Sequence, residues 1–439
     1  MKPQSLWSIA ILLSLGLLGC DEPRTSPANT RVSFVQAAPS QGPINFRREE
    51  ALEASLEYHE SSSTSFNVDL YDFHFDVTPA GAEPERLVSF SQEIVAGTDY
   101  TIIAAEINGQ LQEVVLEAPT LDADSTNAQI ASLHLASMLG PVDLYLTAPG
   151  ADPVSTVPLG ALSFTEDLAP GPADAGDYEF VLTEAANPAA VLLRSTTFPL
   201  SAGQSIQFTI VDGADEGSAP LIVIVSGDVN VSFVDQNLDA SIRVINGIGD
   251  RSALDVGIDG DLSPPLISGL NFASISEYVI ISPGSHDLTA SPAGNPSVIL
   301  GDFPFAVNAG RFATTFIANA PDAATMIFEL DDYRPLAGEA KLNVYNAVQL
   351  HPFIDVFIAP PGTDLNTIPP TVGLVPGGGS PNVRIAQGSF EITVRTAGFT
   401  TVLAGPAPIT LNAGGFYTVL LSDSVGGSTI DLTFLDDFN

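Results

Sequence analysis

The residues able to carry chemistry are one cysteine, five histidines and 52 carboxylates. Cys20 is the only thiol, so no disulfide can form within the chain. His59, His74, His134, His286 and His351 are scattered, and none falls in the H-x-H or H-E-x-x-H spacing that zinc ligation favours. His74 and His286 alternate with apolar residues and read as solvent-facing strand histidines. No G-x-S-x-G nucleophile elbow is present. Gly247-Ile248-Gly249-Asp250-Arg251-Ser252 has two glycines of a dinucleotide loop without the third, and Gly377-Gly378-Gly379-Ser380 runs into a proline. Both read as turns. Carboxylates gather at Asp122 and Asp124, at Asp212, Asp215 and Glu216, and at Asp259 and Asp261, where oxygen ligands for calcium could converge. None completes a twelve-residue EF-hand loop and none recurs from repeat to repeat, so they read as acidic loops. A glycosidase pair is defined by tertiary distance, and nothing in the sequence selects one. The expectation is a protein that is not an enzyme, with no catalytic residue, no metal and no cofactor.

The elements that carry these residues begin with an apolar run from Leu6 to Leu18 behind Lys2. It is too short for a stable membrane span and suits the core of a secretory signal. Leu17-Leu18-Gly19-Cys20 resembles the lipobox of bacterial lipoproteins. The resemblance implies cleavage after Gly19 and acylation at Cys20, with palmitate-type chains anchoring the protein in a membrane. Each buried methylene adds about 0.8 kcal/mol to such an anchor. Asp21 retains lipoproteins in the inner membrane of enterobacteria-like systems; other lineages read that position differently, so inner and outer membrane both stay open. The expected location is the cell envelope, on its periplasmic side or at the cell surface.

Loss of residues 1–19 removes Lys2 and no acid, taking the net charge from −38 to −39. Such a surface repels nucleic acid. The chain is nonetheless 45% hydrophobic with 24 phenylalanines, which argues against disorder. Without disulfides, stability must come from cores of roughly 100 residues each.

The strongest organisational signal is an internal repeat. An aliphatic–polar–apolar marker occurs at Ile44-Asn45-Phe46, Val142-Asp143-Leu144, Leu254-Asp255-Val256 and Ile354-Asp355-Val356, with Val32, Ile130, Ile242 and Leu342 thirteen residues before each polar centre. A second marker, Ala-Gly, falls at 96–97, 202–203, 309–310 and 413–414, spaced by 106, 107 and 104 residues. Its glycine suits a turn with φ > 0, and an apolar or aromatic strand follows. Between the markers lie alternating segments at 71–77, 176–182, 284–289 and 388–394; in the first, Phe73, Phe75 and Val77 face one way and Asp72, His74 and Asp76 the other.

Each repeat reads as about seven short strands, so the expected fold is all-β: about four tandem Ig-like sandwiches behind a lipoprotein signal peptide. The segmentation is signal peptide 1–19, acidic linker 20–30, and sandwiches at 31–118, 127–234, 239–331 and 339–437. Residues 49–57 look briefly helical, 60–65 read as a flexible loop, and short acidic linkers suggest a rod.

These markers resemble the bacterial envelope family DUF4397, whose repeats carry V-D-V-Y, G-x-Y-x-V-x-V and A-G-x-x-Y-T strands. Val142–Tyr145, Gly176–Leu182 and Asn412–Val419 fit well; the first copy departs, with Asn45 in place of the acid. The resemblance implies an Ig-like fold in an envelope or secreted setting, and no activity. The expected function is a lipid-anchored scaffold or adhesion module with an unknown protein or glycan partner and no nucleic acid. Glycan binding, the alternative, would use exposed aromatics among Tyr58, Tyr71, Tyr278 and Tyr333, because the only tryptophan, Trp7, lies in the signal peptide. An envelope hydrolase ranks below both.

Overall fold

The computed structural model describes residues 29–122, 124–215, 217–249, 252–320, 323–351, 353–424 and 429–438. The apolar run, Cys20 and Asp21 lie outside the described residues. Within them the chain is strands joined by turns, with one short 3-10 turn at Pro153–Ser155.

The first sandwich sets the pattern. Its strands are β1 (Asn29–Ala37), β2 (Ile44–Arg48), β3 (Ala51–Leu56), β4 (Ser61–Asn67), β5 (Asp69–Val77), β6 (Glu85–Ile94), β7 (Thr98–Ile107) and β8 (Gln110–Pro119). They form two sheets ordered β4-β1-β7-β8 and β3-β2-β5-β6. The third and fourth sandwiches repeat this order, and the second adds the short strands Phe198–Leu200 and Val231–Phe233. Each unit is therefore a two-sheet β-sandwich of at least eight strands, one more than the sequence suggested. Its first strand pairs in parallel with the seventh (the eighth in the second sandwich, where Phe198–Leu200 intervenes), whereas the immunoglobulin constant domain places its first, second, fifth and fourth strands in one sheet.

The parallel pair explains why two distant markers repeat together. Val32, Ile130, Ile242 and Leu342 sit opposite Tyr100, Ile206, Ala313 and Tyr417. Each partner lies three residues beyond the marker glycine. That glycine has φ of 81°, 82°, 70° and 73° in the four copies, a conformation that strains any residue with a Cβ. The acid of the other marker also has a local task. Asp143, Asp255 and Asp355 accept the backbone N–H groups of Ala186, Gly294 and Gly398, tying down the turn between the fifth and sixth strands.

Residues 49–57 are not helical. Glu49, at φ 56°, turns the chain, and Ala51–Leu56 returns as a strand beside β2 with Leu56 in the core. The Glu, Ala and Leu content favours helix, but a helix this short is marginal in water, and pairing with β2 decides the outcome. The serine-rich segment is likewise a strand: Ser61–Val35 through Asn29–Asn67 pair β4 against β1, and Ser61 and Ser63 hydroxyls donate to the carbonyls of Val225 and Gly227 in the second sandwich.

The rod is also corrected. Beyond one core per sandwich, two further apolar clusters lie between sandwiches. Val35, Ile103, Leu133, Leu135, Ile222 and Ile224 join the first to the second; Ile245, Phe316, Tyr345, Ala347 and Leu420 join the third to the fourth. In each pair the sheets containing the parallel strands meet back to back. This accounts for strands buried on both faces, such as Leu221–Gly227 and Glu339–Ala347, and for the unbroken apolar run Leu221–Val225. The stretch between the third and fourth sandwiches, 331–339, is held down rather than free: Asp331, Arg334, Leu336 and Glu339 are buried, Arg334 donates to the carbonyls of Pro39 and Gln41, and Glu339 accepts from Ala80, so the fourth repeat is bound back to the first. Gly217 bridges Arg311 between the second and third.

Candidate functional site

The histidines do not converge. His59 lies at the seam of the first two sandwiches, its Nδ1 3.2 Å from the Ser232 hydroxyl, and His74 contacts Ser89 across a hairpin. His286 meets Asp259 at 3.0 Å, and this carboxylate holds its imidazole above the usual range. Among the described residues, no group of three or more His, Cys, Asp or Glu side chains is placed to hold a metal ion.

His134 is fully buried and has a structural role that the repeat alignment could have exposed. Counting four residues past Val32, Ile130, Ile242 and Leu342 gives Gln36, His134, Asn246 and Asn346. In each copy that side chain accepts the N–H two residues on: Ala38, Ala136, Ile248 and Val348. The other end reaches a loop carbonyl, at Gly42, Gly140, Ser252 and Val375. Because His134 Nδ1 accepts from Ala136, the proton sits on Nε2 and points at the Gly140 carbonyl. The imidazole does the work of an amide, and burial pushes its pKa down.

Three of the clustered acids cap loops. Asp212 accepts from the backbone of Ser137 and Met138, Asp259 from Asp287, and Asp261 from Ser263. Glu216 lies outside the described residues, as do Ala123, Asp250 and Arg251. The glycine-rich stretches serve the contact between the third and fourth sandwiches. A Cβ on Gly247 would come within 3.0 Å of Ala347 in the fourth sandwich, and one on Gly379 within 3.3 Å of Ile327 in the third.

Two clefts between sandwiches collect the polar groups. In the first, of about 340 Å³, copy one faces the segment leading into copy four. Arg311, Arg334, Lys341 and Arg384 gather there among Glu57, Glu60 and Asp332, four of only 14 basic residues in the chain. Lys341 is ion-paired with Asp332, Arg384 donates to Thr78 and lies 3.5 Å from Glu339, and the Arg334 guanidinium stacks 5.2 Å over Tyr58. Burial raises the Glu57 pKa, opposed by Arg334 and Arg384. Arg334 and Arg384 act as bolts to the first repeat. The second cleft, of about 320 Å³, lies between the first two sandwiches and is lined by hydroxyls, an amide and apolar edges.

The face of copy three that meets copy four carries a third polar group. Arg243 donates to the Thr314 hydroxyl at 2.8 Å, which donates to Asp331, and Tyr278 donates to the same carboxylate. The Arg243 guanidinium lies 5.0 Å from the Tyr278 ring. Burial, reinforced by Asp331, pushes the Tyr278 and Tyr345 hydroxyls well above their ordinary range, and burial beside Asp331 raises Glu329 to about 7. Tyr58 and Tyr71 are buried, and Tyr278 and Tyr333 are half-buried in this network, so none of the four is an open aromatic platform.

Residues 240–357 match the family described as Domain of unknown function (DUF4397). The matched stretch takes in the third sandwich and the first two strands of the fourth, and is similar to that family. No curated protein matches the chain.

Proposed function

We propose that this chain is a non-catalytic, lipid-anchored protein of the bacterial cell envelope, held to the membrane through Cys20 and acting as a scaffold or interaction module. The observation that carries this reading is where the polar chemistry sits. The buried carboxylate, tyrosine and arginine of the third repeat are bonded to one another on the face that meets the fourth, and Arg334 and Arg384 in the 340 Å³ cleft tie the first repeat to the fourth and the segment leading into it. Such groups stabilise an assembly of sandwiches and leave loops and edges for partners. The lipobox-like Leu17-Leu18-Gly19-Cys20 supplies the anchor in this reading.

Metabolic labelling with an alkyne fatty acid tests the anchor. The wild type should carry label and sediment with membranes, and Cys20→Ser should lose both; labelled Cys20→Ser would end the proposal. Protease shaving of intact cells with a tag after Asn439 then assigns the side. Tag lost beside an intact periplasmic control supports an adhesion role, whereas tag protected until the outer membrane is opened points to a periplasmic partner.

A further inference from the structure

The cleft between the first two sandwiches arises from one change repeated across two facing sheets. Towards one end the opposed strands offer Val35 and Ile103 against Leu133 and Ile224, and these mesh. One register step away, β1 and β7 present Ser33 beside Thr101. In the facing sheet, the same step brings Ala131 beside Gln207 and Gln207 beside Ser226. Small side chains on both sides cannot fill the gap between sheets, and a cavity of about 320 Å³ remains, within the range of about 300–1,000 Å³ typical of ligand pockets. Arg31 closes the far end, ion-paired with Asp99 of its own sandwich and with Asp228 of the next at 2.5 Å.

Ser226 lines this cleft, is fully buried, and its hydroxyl has no hydrogen-bond partner among the described residues. Buried hydroxyls are rarely left so, because the lost hydration is not replaced. We propose that the cleft is a binding site for a neutral, polyhydroxylated ligand, a saccharide of one or two rings. Serine and threonine hydroxyls and the Gln207 amide can both donate and accept, as sugar hydroxyls require. Leu116, Leu168 and Pro170 provide apolar wall for the C–H faces of a ring. Anions are disfavoured: the one cation, Arg31, already pairs with two carboxylates, and Glu117 and Asp167 add negative charge at the lining. The site goes beyond the envelope reading and does not depend on where the protein is anchored.

The test is saturation-transfer NMR on the full-length protein in a zwitterionic detergent. The probes are glucose, galactose, mannose, N-acetylglucosamine, maltose and cellobiose, with methyl phosphate, whose methyl protons can report transfer, as the anionic control. At least one saccharide should show transfer and phosphate none. Ser226→Ala should weaken binding about fivefold, as loss of one hydrogen bond implies. Ala118→Trp, at the cleft lining, should abolish it, with the thermal transition of each variant unchanged as a check on folding. Silence from every saccharide would mean a cleft holding only water and would overturn the proposal. So would phosphate binding in place of sugar, or sugar binding that neither substitution weakens.

Discussion

The two back-to-back contacts use the same sheets of the same repeat and solve the joining problem differently. Between copies one and two the contact is mostly apolar, with Val35, Ile103, Leu133, Ile222 and Ile224 at its centre and an open polar cleft at one side. Between copies three and four the apolar cluster is smaller, and beside it copy three buries a network of its own, Arg243, Thr314, Asp331 and Tyr278. An apolar contact loses stability in proportion to the surface that a substitution removes. A buried ionic network fails abruptly, because removing one partner strands the other in a medium that cannot solvate it. The difference teaches that one repeat topology supports both a tolerant contact and a brittle one.

The largest effect should therefore come from Arg243→Ala. It leaves the fully buried Asp331 without the guanidinium that orients Thr314, and should cost about 3–5 kcal/mol in urea unfolding. Ile224→Ala, in the apolar contact, should cost about 2–4 kcal/mol. A smaller loss for Arg243→Ala than for Ile224→Ala would reverse the assignment of brittle and tolerant contacts.

Next comes pH, where the two halves should respond with opposite sign. His134, in the second sandwich, has a lowered pKa, so below its ordinary value of 6.5 the unfolded chain binds a proton that the folded one refuses. Its contribution is complete above 6.5 and drains as the pH falls. Glu329, in the third sandwich, has a pKa raised from 4.5 to about 7, so the folded chain keeps a proton that the unfolded chain releases. Its contribution is complete below 4.5 and drains as the pH rises towards 7. In a stability–pH profile, His134→Asn should flatten the acid limb, since asparagine already fills that place in copies three and four. Glu329→Gln should flatten the slope between 4.5 and 7; an unchanged profile in both variants would show that neither group is coupled to folding. His134→Ala, which orphans the Ala136 N–H, should cost about 1–3 kcal/mol.

The smallest effect should be that of Ser226→Ala on stability. Its hydroxyl makes no bond among the described residues, so the change should stay within about 0.5 kcal/mol. A loss well beyond that in thermal unfolding would mean that the cleft is a supporting part of the contact.

Much of the β-structure was legible before any coordinates, because it is written in period-two alternation and in glycines that must take positive φ. The strands at 71–77 and 388–394 and the turn glycines Gly97, Gly203, Gly310 and Gly414 are local features of this kind. Residues 49–57 were misread for the complementary reason: helix-forming residues state a preference, and a pairing partner overrules it. The polar groups of the clefts left a fainter trace. Ser33, Thr101, Gln207 and Ser226 are polar interruptions in apolar strands, and a single strand does not say what faces it.

The sequence by itself determined a repeat of short strands, its markers and its sandwich class, because hydrophobic period and turn chemistry act over a few residues. Only the tertiary structure decided that β1 runs parallel to β7, that sandwiches meet back to back, and that Gly247 and Gly379 are there for close approach between repeats. Those outcomes depend on which faces are brought together across a hundred residues or more. An outward face of Val, Ile and Tyr demands burial without naming its partner, since the hydrophobic effect has no direction.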